Sequence, residues 1–222
     1  MNHYYENKVA ELRYIAIEGV IGAGKTSLAR MLSEKLNADL ILEQFEENPF
    51  LEKFYDDRKR FAFQTQMFFL INRYKQQQQL KQQDLFTSIT VSDYIFDKDK
   101  IFAYLNLSTE EVKLYENIFP LLERDIPKPD LVIFLQSSLD RLMVNIKLRG
   151  RKFEKNLTRQ YLTELSEAYN NFFFKYNNTP LLIVNTSDID FVNSETDFNE
   201  LYNQIFREDR GVIEYFNPEP KG

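Results

Sequence analysis

The chain has no cysteine, no tryptophan and a single histidine, His3, in 222 residues. Without cysteine there can be no disulfide, no thiol nucleophile and no thiolate zinc site. The lone histidine sits in the polar start Met-Asn-His-Tyr-Tyr-Glu-Asn-Lys. Imidazole general-base chemistry is therefore disfavoured, and proton transfer falls to carboxylates, lysine or tyrosine. No run approaches the ~18 apolar residues of a membrane span, and the N-terminus lacks the apolar centre of a signal peptide. A cytoplasmic protein without membrane attachment is expected. Lysine and arginine number 28 against 34 aspartates and glutamates, a net charge of −6, and no long basic run occurs. That balance argues against a nucleic-acid polymer as partner. Glycine is scarce as well, with six in the chain, yet three of these stand at 19, 22 and 24.

Those three lie in Gly19-Val20-Ile21-Gly22-Ala23-Gly24-Lys25-Thr26, which matches G-x-x-x-x-G-K-S/T at every position. It follows the apolar run Tyr14–Glu18, of a length suited to a buried strand. It precedes a stretch with apolar residues at 28, 29, 31, 32 and 36, one face of a helix. The glycines let several main-chain N–H groups converge on a phosphate at a helix N-terminus. Lys25 is then placed to reach the β and γ phosphates, and the Thr26 hydroxyl to hold Mg²⁺. Binding of a nucleoside triphosphate is the first functional expectation.

Strand-like runs recur at Tyr14–Glu18, Leu40–Gln44, Ser88–Ser92, Leu131–Gln136 and Leu181–Asn185, with helical patterns between them. This predicts one α/β domain over 1–210, a five-stranded parallel sheet flanked by helices. The longest helix is expected from about Phe61 to Gln83, with Gln76–Gln79 at its exposed end. Ser108-Thr-Glu-Glu111 reads as a capping box opening a helix that ends near Arg124, and Ser137-Ser-Leu-Asp140 as a second cap. A further amphipathic stretch runs from Thr158 to Tyr176, and residues 211–222 read as a loose tail.

Two carboxylates close strand-like runs. Glu43 ends the second and Asp93 follows the third, at the sheet edge where open α/β folds bind ligands. Asp93 holds the position of an Mg²⁺-associated acid in many P-loop enzymes. Arg149-Gly-Arg151, followed by Glu154, suits a mobile clamp on transferring phosphoryl oxygens, a lid at about 149–157.

Taken in order, the phosphate loop, Glu43 with the following Glu-Asn-Pro-Phe-Leu-Glu-Lys-Phe-Tyr55, Phe63-Gln-Thr-Gln66, Val91-Ser-Asp-Tyr94, Ile101-Phe-Ala103 and Arg149-Gly-Arg151 with Glu154 resemble the deoxynucleoside kinase family. The resemblance spans about residues 12–206 and is strongest to the bacterial deoxyguanosine and deoxyadenosine kinases. It implies transfer of the ATP γ-phosphoryl to the 5′-hydroxyl of a deoxyribonucleoside, a purine (deoxyadenosine or deoxyguanosine), as in nucleotide salvage, with ATP and Mg²⁺ as cofactors and a homodimeric state. Carried over by position, Glu43 faces the 5′-hydroxyl as general base. Tyr55 and Glu154 bind the sugar 3′-hydroxyl, Gln64 reads the base edge and Phe102 stacks near the base. Arg149 and Arg151 are the lid arginines, Asp190 and Phe191 lie near the ATP adenine, and Thr26 and Asp93 hold the metal.

The chain departs from the family pattern in places. Where many relatives carry an acid-Arg-Ser triplet, this sequence has Ser92-Asp93-Tyr94, so the arginine is missing and Asp93 is open to both metal and base roles. A base-reading arginine of several relatives falls on Ile71, with Arg73 two residues on, and Asp97 and Asp99 are both candidates for its acid partner. Two alternatives remain open on sequence: a nucleoside monophosphate kinase of thymidylate-kinase type, and a regulatory P-loop NTPase.

Overall fold

The computed structural model describes residues 12–83 and 89–218; the N-terminal His3, Ser88 of the third strand-like run and residues 219–222 of the expected tail lie outside them. Six parallel strands form one sheet in the order β2-β3-β1-β4-β5-β6. They are β1 (Tyr14–Gly19), β2 (Asp39–Ile41), β3 (Thr90–Ser92), β4 (Leu131–Gln136), β5 (Leu181–Asn185) and β6 (Ile213–Phe216). β1 is buried along its whole length, as expected of a strand covered on both faces. It pairs with β3 through Ile15 and Val91 and with β4 through Ile17 and Ile133. The chain passes from β1 to β2 on one side and returns later to β4 on the other. The loop after β1 therefore opens at the point where strand order reverses, the usual place for a ligand crevice.

The sixth strand corrects two expectations. The sheet has six strands, not five, and residues 213–216 of the supposed tail pair in parallel with β5. Glu214 of β6 turns inward, where its carboxylate accepts from the Arg207 guanidinium at 3.0 Å.

Eight helices cover the sheet among the described residues: α1 (Lys25–Leu36), α2 (Leu51–Asp56), α3 (Arg58–Gln83), α4 (Lys98–Asn106), α5 (Thr109–Glu123), α6 (Leu139–Arg149), α7 (Arg159–Phe174) and α8 (Glu195–Ile205). Four of these helices begin at a side-chain cap. Ser138, Thr158 and Ser194 accept from the N–H groups of Arg141, Tyr161 and Asp197. The predicted box at Ser108 and Glu111 is present in both directions. α1 starts from Gly24 at φ 94, a left-handed conformation that favours glycine. A side chain there would also meet Phe191, with a Cβ 2.8 Å from its ring.

The main core lies between sheet and helices around Ile15, Ile17, Leu28, Leu32, Ile133 and Leu165. A smaller cluster of Leu70, Phe96, Ala103, Tyr115 and Phe119 joins α3, α4 and α5. This second cluster fixes α3 alongside α4, and the functional cavity opens between them and the sheet edge. Ser108→Ala should remove one half of the α5 capping box and lower stability by about 1 kcal/mol. Thermal unfolding should then shift down by roughly 2–4 °C, and an unchanged midpoint would show that the cap contributes nothing.

Candidate active site

Two cavities meet above the C-terminal ends of β1 and β3. The first is enclosed between α2, α3, α4 and the turn at 152–154. The second runs along the phosphate loop, past Arg141 and Asn145 of α6 to Asp190, Phe191 and Val192. Lys25, Thr26, Arg149 and Arg151 line both. Two ligands seated in these cavities would meet at those four side chains.

The loop side is built as its sequence requires. Lys25 Nζ donates to the carbonyls of Gly19 at 2.7 Å and Val20 at 3.3 Å. Burial, with Lys98 close by, lowers its pKa to about 8. Thr26 Oγ1 donates to Asp93 Oδ2 at 2.6 Å, and the Glu43 main-chain N–H donates to Asp93 Oδ1 at 2.8 Å. Asp93 thus joins the phosphate loop to the segment that carries Glu43. Asp190 lies 3.6 Å from Arg141, and hydrogen bonds from Asn193 hold its carboxyl below the usual range.

In the other cavity Glu43 is held between two cations. Arg73 Nε donates to Glu43 Oε1 at 2.7 Å, and Lys98 Nζ to Oε2 at 2.8 Å. Burial alone would raise the pKa of this carboxyl, but the two cations overrule it and hold it well below the usual carboxylate range. Arg73 also pairs with Asp99, and the Gln66 amide donates to the Asp99 carbonyl at 2.9 Å and to its carboxylate. Phe102 lines this cavity with Phe69 and Tyr169. At the far wall Arg149 and Arg151 both pair with Glu154 Oε1. The Glu154 Oε2 atom is buried and has no hydrogen-bond partner among the described residues. Tyr55 stands in the same wall, where burial, with Tyr161 and Glu154 nearby, raises its pKa well above the usual value.

Most expected residues are therefore brought together, and one is not. Gln64 is exposed and lines neither cavity; the buried glutamine in the site is Gln66. The same two-residue displacement separates Ile71, 44% exposed, from Arg73, 3% exposed. On a helix, Ala62, Gln66, Phe69 and Arg73 share a face at spacings of four, three and four, whereas Gln64 points elsewhere. That periodicity was the available signal. Asp99 is the acid beside Arg73, while Asp97 pairs with Lys100 at 2.9 Å. Lys98 was not foreseen, and no motif marks it.

The deoxynucleoside kinase family profile matches residues 15–208. The chain belongs to that family. It is 45% identical to the deoxyguanosine kinase of Bacillus subtilis over 157 residues, 70% of this chain and 76% of that protein. It is 29% identical to the deoxyadenosine/deoxycytidine kinase of the same organism over 207 residues, 90% of this chain and 94% of the relative. Among solved structures it is similar to a deoxyadenosine kinase from M. mycoides with bound dATP, with a TM-score of 0.75 and 28% identity over 86% of this chain and 98% of that one. Membership makes the chain a kinase for deoxynucleosides and sets aside the monophosphate-kinase and regulatory-NTPase alternatives. No described helix is long and apolar enough to cross a membrane.

A lysine that titrates near pH 8 before phosphate arrives must take up a proton when phosphate raises its pKa. Triphosphate affinity should therefore be greatest below pH 8 and fall above it, by at most tenfold per pH unit. Calorimetric titration at several pH values would read this, and Lys25→Met should flatten the slope. A slope that survives in Lys25→Met would assign the titration to another group.

Proposed function

We propose that this kinase uses ATP and Mg²⁺ to phosphorylate the 5′-hydroxyl of a purine deoxynucleoside, deoxyguanosine or deoxyadenosine. The observation that carries the reading is the pair of cavities sharing Lys25, Thr26, Arg149 and Arg151, with Glu43 lining the enclosed one and not the other. ATP is assigned to the cavity of Asp190 and Phe191, and the nucleoside to the cavity of Glu43, Tyr55, Gln66, Phe102 and Glu154. The purine preference draws on the relatives named deoxyguanosine and deoxyadenosine kinases.

Phosphoryl transfer asks a protein for alignment and charge compensation more than for covalent chemistry. Lys25 supplies charge at the phosphates, and Arg149 and Arg151 supply it across the transferring group. Thr26 and Asp93 offer a hydroxyl and one carboxylate at the junction of the cavities, and no cluster of three acidic or histidine ligands exists among the described residues. That donor set fits Mg²⁺, which is commonly held by one or two carboxylates together with substrate phosphates, and the metal would neutralise charge on the phosphate oxygens. Asp93 is accordingly assigned to the metal and Glu43 to the 5′-hydroxyl. Because Glu43 is a weak base, it takes the proton late, when the new O–P bond is well advanced.

The buried Glu154 Oε2 and the Tyr55 hydroxyl suit a sugar 3′-hydroxyl. A 2′,3′-dideoxynucleoside leaves them unpaired, at about 1–3 kcal/mol per group. Coupled ADP release should be followed for the four deoxynucleosides, a dideoxy analogue, dTMP and a water blank. A purine deoxynucleoside should give the highest kcat/KM, the dideoxy analogue should fall roughly tenfold or more below its parent, and Gln66→Ala should cost far more than Gln64→Ala. First place for dTMP, or no release above the blank, would overturn the assignment.

The homodimer is part of this proposal. Ile71 of α3 and Leu114 and Leu121 of α5 are apolar and 44%, 48% and 61% exposed on neighbouring helices, a surface that pairing would cover. Sedimentation should give twice the chain mass, and Leu121→Glu should shift it toward the single chain. A monomer at all concentrations would refute the pairing.

A further inference from the structure

Lys98 is a cation in an unfavourable place. It is the first residue of α4, where the helix dipole already presents positive charge, and its side chain is only 4% exposed. Burying an ammonium is costly unless it is paired. Its ammonium lies 2.8 Å from Glu43 Oε2 and 3.9 Å from Glu18 Oε1. Glu18 itself is already engaged: it accepts from the N–H groups of Gly19 and Ile95 and from the Tyr169 hydroxyl. A buried ion pair is poor value for stability alone, since an apolar pair of similar size commonly does as well.

The geometry around Glu43 shows what the lysine does. Arg73 approaches one carboxylate oxygen with two nitrogens, Nε at 2.7 Å and a terminal nitrogen at 2.6 Å from Oε1. The guanidinium thus covers Oε1 from the α3 side. Each carboxylate oxygen offers two lone pairs; Oε2 has taken one donor, Lys98, and keeps one lone pair. Oε2, next to the Lys98 ammonium, is the oxygen open to a hydroxyl. Of the three N–H bonds of that ammonium, one goes to Glu43, and Glu18 at 3.9 Å lies beyond hydrogen-bond length. Lys98 also lines the enclosed cavity, so an N–H remains for the substrate.

We propose that Lys98 is a catalytic residue of the transfer, contacting the attacking 5′-oxygen while it holds the Glu43 carboxylate that receives the proton. This rests on the assignment of the nucleoside to the enclosed cavity. In the step, the bond between the 5′-oxygen and the γ-phosphorus forms and the bond from that phosphorus to the β–γ bridging oxygen breaks. The electron pair of the broken bond leaves with ADP. The 5′-hydroxyl proton passes to Glu43 Oε2 and later to water. As Glu43 loses its negative charge, the Lys98 ammonium turns to the new phosphoester oxygen. Lys98 thus acts on a charge that moves, which a passive ion pair would not do.

The test uses the full-length enzyme with ATP, Mg²⁺ and whichever deoxynucleoside supports the fastest wild-type turnover. Lys98→Met should lower kcat by roughly 10²-fold or more, as loss of a charge-stabilising donor does, with a much smaller change in nucleoside KM. Lys98→Arg should restore a substantial part of kcat. The double variant Glu43→Gln/Lys98→Met should be little slower than Glu43→Gln alone, because groups that act as a unit are not additive. A Lys98→Met enzyme with wild-type kcat, or one whose defect lies in KM alone, overturns the proposal. So does full additivity in the double variant. If Lys98→Met does not fold, Lys98→Arg and Lys98→Gln decide: equal kcat in these two shows that charge at this position is irrelevant. A wild-type enzyme that turns over no deoxynucleoside would instead sink the substrate assignment, whatever Lys98 does.

Discussion

The active side of this molecule depends on a chain of buried charges: Glu18, Lys98, Glu43, Arg73 and Asp99, alternating in sign. Its members come from β1, from the segment after β2, from α3 and from the start of α4. Removing one partner of such a chain strands another in a low-dielectric interior, typically at about 3–5 kcal/mol. The chain therefore fixes two helices against the sheet edge more strictly than apolar packing would, because an apolar contact tolerates small displacements and an ion pair in a dry site does not. It also leaves a carboxylate ionised and immobile inside a cavity. That combination is what a group receiving a hydroxyl has to have.

The 149–154 segment belongs to the same electrostatics. Arg149 and Arg151 meet at Glu154 in the cavity wall, and Arg151 also lies over the Phe45 ring at 4.0 Å. The phosphate loop is matched to its neighbours in a different way. Phe191 fills the space above Gly24, so the 189–193 segment and the glycine-rich loop are one packed unit.

Much of this was legible in the sequence because it is local. The phosphate loop, the starts of α5 and α7, the start of α6 to within one residue (the cap is Ser138, not Ser137) and the buried strands β1, β4 and β5 are specified by residues within a few positions of one another. The long helix α3 was found with its boundaries nearly right. The glutamine expected in the site, Gln64, is exposed, while Gln66 lines the cavity two positions on, and the helical period of Ala62, Gln66, Phe69 and Arg73 carries that distinction. Lys98 and its partners were not legible, since Glu18, Glu43 and Lys98 are distant in sequence and meet only once the sheet has formed. β6 was missed for the opposite reason. It is four residues long and mostly exposed, with one buried residue, Glu214, that is charged, so no hydrophobic alternation announces it.

That buried charge has a bearing on solubility. A parallel sheet ends in two strands whose outer N–H and C=O groups are unpaired, and such edges invite another chain to continue the ladder. Here one edge, β2, is three residues long, and the other, β6, is four. Glu214 turns a carboxylate inward on β6, tied to Arg207 and to the Gly211 N–H, and Pro218 follows shortly after. An incoming strand would find too few rungs to bond and a charge where it would bury an apolar residue. The sheet is closed to growth at both margins by brevity and by one misfit acid, which leaves the helical faces as the surfaces through which copies of this chain can meet without polymerising.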